Sequence, residues 1–111
     1  MKIKTLFAAT LLSLGFLTGA NAQVVAQAYE VALGDFRAPV NENGTAAFKT
    51  CSDCNHTVVR VTASTRYEIN GKVVLFEDFR KALKRADSNT TDLIVVHHLE
   101  SNTIKSIIVS L

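Results

Sequence analysis

Arg66-Tyr67-Glu68-Ile69-Asn70-Gly71-Lys72-Val73-Val74-Leu75, followed directly by Phe76-Glu77-Asp78-Phe79-Arg80-Lys81-Ala82-Leu83-Lys84-Arg85-Ala86, decides the fold of this chain. Asn70-Gly71 supplies the two positive φ angles of a type I′ turn, whose twist matches the strands on either side, so the first part reads as a hairpin. Side chains alternate across a strand, which puts Tyr67, Ile69 and Val74 on one face and Arg66 and Glu68 on the other. At Phe76 the period changes. Phe76, Phe79, Ala82, Leu83 and Ala86 recur at helical spacing and form one apolar stripe. Glu77 and Asp78 in the first turn, with Lys84 and Arg85 in the last, complement the helix dipole. Leu75 stands where a Ser or Asp cap is preferred, so the face of this helix is better defined than its start.

Outward from there the chain reads mainly as β structure. Val58-Val59-Arg60-Val61-Thr62 is β-branched and strand-forming, and Ala46 to Thr50 is a short strand running into Cys51. Downstream, Leu93 to Leu99 meets a turn-like tetrad, Glu100 to Thr103, and then Ile104 to Leu111. Upstream, Arg37 to Thr45 holds the single proline, Pro39, with Asn41, Asn43 and Gly44, and reads as a loop and an internal boundary. Gln23 to Asp35 fits two templates, a helix through Val24, Val25, Ala28, Ala32 and Leu33, or a strand over Tyr29 to Leu33. The outline β-β-β-α-β-β predicts an α+β domain over residues 46–111. Its architecture would be a small curled antiparallel sheet or partly open β-barrel of about five strands with one packed helix, preceded by an N-terminal segment over 23–45. Val61, Ile107 and Val109 are expected to complete the core under the hairpin and the helix stripe.

Val61-Thr62, then Thr65-x-Tyr67-x-Ile69-Asn70-Gly71-Lys72-x-Val74, then Asp78-Phe79 and two closing strands, resembles small exported (periplasmic) bacterial β-rich domain proteins of uncharacterised function. The resemblance covers the last sixty or so residues. It implies a fold and a compartment and carries over no catalytic residue.

The start of the chain bears on compartment independently. Lys2 and Lys4 lead into an apolar run, Leu6 to Leu17, and small residues follow, with Ala20-Asn21-Ala22 matching an A-x-A cleavage site. This is the pattern of a secretory signal peptide over residues 1–22, too short in its apolar part to span a bilayer. Cleavage after Ala22 would leave a periplasmic or secreted protein beginning at Gln23, with no cysteine there for lipid attachment. Lys2 and Lys4 carry the whole formal charge of +2, so the chain from Gln23 onward is neutral and lacks a nucleic-acid-binding charge balance.

Export changes the meaning of Cys51 and Cys54, the two cysteines of the chain. In an oxidising compartment a disulfide is the default, and closing so short a loop is worth about 2 kcal/mol. Two alternatives stay open. One is a thiol-disulfide redox site, although Asn55-His56-Thr57 and a β-branched run follow where a helix should begin, and Asp53 disfavours a thiolate. The other is a copper or zinc site from Cys51, Cys54 and His56, with His97 or His98 as a fourth ligand. Adjacent strand residues point to opposite faces, so those two histidines are not expected to serve together. Haem attachment needs histidine directly after the second cysteine, and Asn55 stands there.

Arg80, Lys81, Lys84 and Arg85 make the outer helix face basic. That suits an anionic surface or protein partner, or simply a solvated face with Glu77 and Lys81 paired at i, i+4. No aromatic residue is interleaved to stack on bases. The five glycines form no phosphate loop, no serine lies in a G-x-S-x-G elbow, and no cofactor motif is present. The function expected from these observations is an exported small binding or accessory module without catalytic activity, stapled by Cys51–Cys54.

Overall fold

The Asn70-Gly71 turn forms as its chemistry requires, with φ of 52° at Asn70 and 85° at Gly71. Tyr67 pairs with Val74 and Ile69 with Lys72 across it. The computed structural model describes residues 25–111; the segment 1–22, read above as an export signal, lies outside them. The elements in chain order are β1 (Ala26–Ala32), a 3₁₀ turn (Leu33–Asp35), β2 (Phe36–Arg37), β3 (Thr45–Lys49), β4 (His56–Arg60), β5 (Arg66–Ile69), β6 (Lys72–Val74), α1 (Phe76–Arg85), β7 (Asp92–His98) and β8 (Thr103–Val109).

They build one open sheet of eight strands, in the order β1-β7-β8-β4-β3-β2, with β5 also on β8 and β6 outside β5. The expectation of about five antiparallel strands is corrected in two respects. First, β1 and β2 come from the segment before Thr45, and β1 pairs with β7 along its whole length, from Ala26 opposite His98 to Ala32 opposite Asp92. Its alanines favour helix over strand, so pairing with this partner overrides the local preference. Second, the sheet is mixed. One edge of β8 takes β4 in parallel at Arg60–Thr103, and then β5 in parallel from Arg66–Ser106 to Ile69–Val109. β4 and β5 thus follow one another along the same strand.

Between them the backbone leaves the ladder, and Thr65 repairs the break. Its N–H donates to the Thr62 carbonyl at 3.0 Å, and its hydroxyl accepts from the Thr62 N–H at 3.0 Å. The same hydroxyl donates to the Ile104 carbonyl at 2.6 Å. Buried backbone groups that lose a ladder partner need a substitute of this kind.

The helix lies on the sheet as its stripe predicts. Phe76, Phe79 and Leu83 are buried, with Phe79 wholly so. The Tyr67 ring meets Phe76 at 5.3 Å and Phe79 at 5.1 Å between centroids. Val61, Ile107 and Val109 share this core, as expected, and it continues through Phe36, Phe48, Val31, Leu93 and Val95. Burying each such side chain stabilises the fold by about 1.5–3 kcal/mol. No side chain caps α1 at Leu75, in line with the missing cap residue.

Candidate functional site

Thr50 to Asn55 joins β3 to β4, and there Cys51 and Cys54 form a disulfide with their Cα atoms 5.1 Å apart. The Cys54 N–H also donates to the Cys51 carbonyl at 3.1 Å, so bridge and turn constrain the same few residues. The pair sits in a hairpin turn. No helix begins here to lower a thiol pKa through its dipole. His56 opens β4, exposed and opposite Lys49. His97 and His98 lie on β7, at a different hairpin. Among the described residues no three His, Cys, Asp or Glu side chains gather as a metal-ligand group.

The basic residues of α1 divide into two kinds. Lys81, Lys84 and Arg85 are exposed. Arg80 is half-buried: its guanidinium stacks 5.8 Å from the Phe76 centroid and donates to the Val40 carbonyl at 3.3 Å. It ties the 38–44 loop to the helix, which removes it from the free cationic face. Among the described residues the ion pair within 4 Å is Lys49–Asp35, at 3.8 Å, so the Glu77–Lys81 pair does not form.

The β7–β8 turn carries a polar cluster that composition alone does not reveal. Val96 opposes Ser106, but His97 opposes Ile104, so Lys105 is an extra residue in β8 and makes a bulge. Both histidines bond to the turn: His97 Nε2 lies 2.8 Å from Asn102 Oδ1, and His98 Nδ1 lies 2.9 Å from Ser101 Oγ. Ser101 Oγ in turn lies 2.7 Å from Thr103 Oγ1. A serine beside an imidazole resembles a nucleophile and its base, but here the same ring nitrogen also accepts from the Ser101 N–H at 3.3 Å. Among the described residues no carboxylate hydrogen-bonds the other ring nitrogen, so the triad logic is incomplete. The arrangement caps a turn whose Asn102 has a φ of 55°.

Beside this turn lies a cleft of about 310 Å³, lined by Thr62, Ser64, His98, Ser101, Thr103, Ile104 and Lys105. Two chain regions converge on it, the β4–β5 break and the β7–β8 turn. Four hydroxyl-bearing residues, a histidine and a lysine line it together with a buried isoleucine. The Thr65–Ile104 hydrogen bond holds the two regions in register. The one visible sequence signal for this site is the density of Ser and Thr at 62–65 and 101–106.

Burial pushes the Tyr67 phenol up to about 12, and the nearby Glu42 carboxylate adds to the effect. Comparison with known protein families, with curated proteins and with solved structures returns no match for this chain.

Proposed function

We propose that this chain is an exported, non-enzymatic binding module, stapled at its β3–β4 turn by Cys51–Cys54, and that the hydroxyl-lined cleft between the β4–β5 break and the β7–β8 turn is its binding surface. Export to the periplasm or beyond, with loss of residues 1–22, belongs to the same proposal. The observation that carries it is the convergence of Thr62, Ser64, Ser101 and Thr103 with His98 and Lys105 on one cleft. Convergent polar groups over an apolar floor are the usual make-up of a small-ligand site. Hydroxyls with one cation suit a polyhydroxylated or oxyanion-bearing ligand.

NMR titration with glucose and with inorganic phosphate tests the cleft. Saturable amide shifts confined to Thr62–Ser64 and His98–Lys105 support the assignment, and no saturable shift with either probe overturns it. Hydrolysis of p-nitrophenyl acetate at enzyme-like rates, abolished by Ser101→Ala, overturns the non-enzymatic reading. The exposure of Cys51 favours a thiol-disulfide oxidoreductase as the second reading. A reduction potential near the roughly −270 to −120 mV of catalytic pairs, in place of the value below about −300 mV of structural bridges, would select it. A copper or zinc role for Cys51, Cys54 and His56 belongs to the reduced chain, because the disulfide occupies both sulfurs.

A further inference from the structure

Tyr67 poses a problem that the fold does not resolve. Its ring is needed in the core, where it meets Phe76 and Phe79, and the residue is 4% exposed. Its hydroxyl is sealed from solvent and, among the described residues, has no hydrogen-bond partner. A buried phenol nearly always finds one, and phenylalanine would pack here without the cost of an unmet polar group. An orphaned hydroxyl of this kind calls for a partner outside the chain, a water or a ligand group.

A cleft of about 160 Å³ adjoins it, lined by Glu42, Thr62, Ala63, Thr65, Tyr67, Val74, Leu75 and Phe76. This is the volume of roughly five water molecules, or of one small organic group. Val74, Leu75, Phe76 and Ala63 supply the apolar part of a wall that is otherwise polar. Thr65 is committed to Ile104 and Thr62, so it offers the cleft little. The polar side chains left are the Tyr67 hydroxyl, the Glu42 carboxylate and Thr62, whose hydroxyl accepts from the Ser64 N–H at 3.1 Å.

The backbone on either side of Glu42 is held in place. The Arg80–Val40 bond secures the loop on one side of it. On the other, the Val61 N–H donates to the Gly44 carbonyl at 2.9 Å, and Asn41 Oδ1 accepts from the Asn43 N–H at 2.9 Å. Pro39 is fully buried beneath. The carboxylate is close enough to bear on the phenol, which stays protonated and so can donate.

We infer that this cleft binds a carboxamide group carried on a small apolar body. A ligand here must accept a hydrogen bond from a neutral phenol and donate one to a carboxylate. A carboxamide does both, through its carbonyl oxygen and its N–H. A carboxylate or phosphate ligand would face Glu42 with like charge, and an ammonium would leave the Tyr67 O–H without an acceptor. The hydroxyl is sealed, so a ligand reaches it only when rim side chains move, and Leu75, 74% exposed, and Glu42, also exposed, are free to do so. The site shares Thr62 with the cleft at the β7–β8 turn but opens on other residues, and the inference does not depend on that cleft's function.

Isobutyramide, isobutyrate and isobutylammonium, nearly equal in shape, are the probes. With the intact chain, isobutyramide should give saturable NMR shifts at Thr62–Tyr67 and Val74–Phe76, and the other two should bind at least about tenfold more weakly, a difference of about 1.4 kcal/mol. Tyr67→Phe keeps the ring packing and should weaken isobutyramide about tenfold, and Glu42→Gln, on the exposed rim, should also weaken it. A tripeptide with a central glutamine, acetylated and amidated, separates two sources of the amide. Tighter binding of the peptide assigns the site to a protein side chain, and tighter binding of isobutyramide to a small free amide. The inference is overturned if isobutyramide gives no saturable shift, if isobutyrate binds equally well, or if Tyr67→Phe leaves affinity unchanged. Shifts at Ser101–Lys105 would report on the other cleft and keep the two failures apart.

Discussion

The hydroxyl of Thr65 donates to the carbonyl of Ile104 across 2.6 Å and 39 positions of sequence, inside the sheet. It joins the break between β4 and β5 to β8, the strand on which both rest. Thr65→Val keeps the shape and deletes the donor, leaving the Ile104 carbonyl and the Thr62 N–H unmet. We expect a loss of about 2–3 kcal/mol, with Thr65→Ser close to wild type. Urea melts of the three proteins check this. A harmless valine would show that the break is held by packing alone.

Phe79 is the other test of the core. It is fully buried between the helix and the hairpin, so Phe79→Ala should cost about 3–5 kcal/mol, a large share of the stability of so small a domain. Lys84→Ala, on the exposed side of the same helix, should stay within about 0.5 kcal/mol. The pair is measured by denaturant midpoint.

Removing the bridge should fall between these extremes. The loop from Cys51 to Cys54 is short, so Cys51→Ser with Cys54→Ser should cost at most about 2 kcal/mol and leave the fold intact. Circular dichroism should show an unchanged far-ultraviolet spectrum and a lower melting temperature.

Tyr67 makes stability depend on pH in the alkaline range. Its phenol moves from 10.0 to about 12 on folding, chiefly by burial and secondly through Glu42. The neutral form is favoured in the folded state, so this contribution is complete below pH 10 and is lost as pH rises toward 12. Between those limits the unfolded chain releases the proton and the folded one keeps it. The loss should reach about 2 kcal/mol in wild type and vanish in Tyr67→Phe. The difference between the wild-type and Tyr67→Phe curves is the quantity to measure.

The hairpin and α1 are legible from residues alone because their causes are local: Asn70-Gly71 has few other uses, and the Phe76–Phe79–Leu83 stripe has one buried solution. β1 is different. Ala26 to Ala32 becomes a strand through β7, more than sixty residues away. The parallel seating of β4 and β5 on β8 is likewise a matter of long-range pairing, which no window of sequence encodes. Candidate sites divide in the same way. Cys51 and Cys54 suggest a bridge through the oxidising compartment that the export signal implies, and α1 announces a basic face, although Arg80 is diverted to the 38–44 loop. The cleft at the β7–β8 turn depends on the bulge at Lys105, and the orphaned Tyr67 hydroxyl on what fails to reach it.

The strand that organises this sheet is the last one described. β7, β4 and β5 all take their register from β8, yet Thr103 to Val109 emerges after every strand it must join. Whether it leaves a ribosome or a translocation pore, the chain presents β4, β5 and β7 with their common partner still missing. Burial of Val61, Tyr67 and Phe79 must therefore wait for Ile107 and Val109. Such a chain gains this part of its core only once β8 is delivered, in a long-range step of the kind that slows folding.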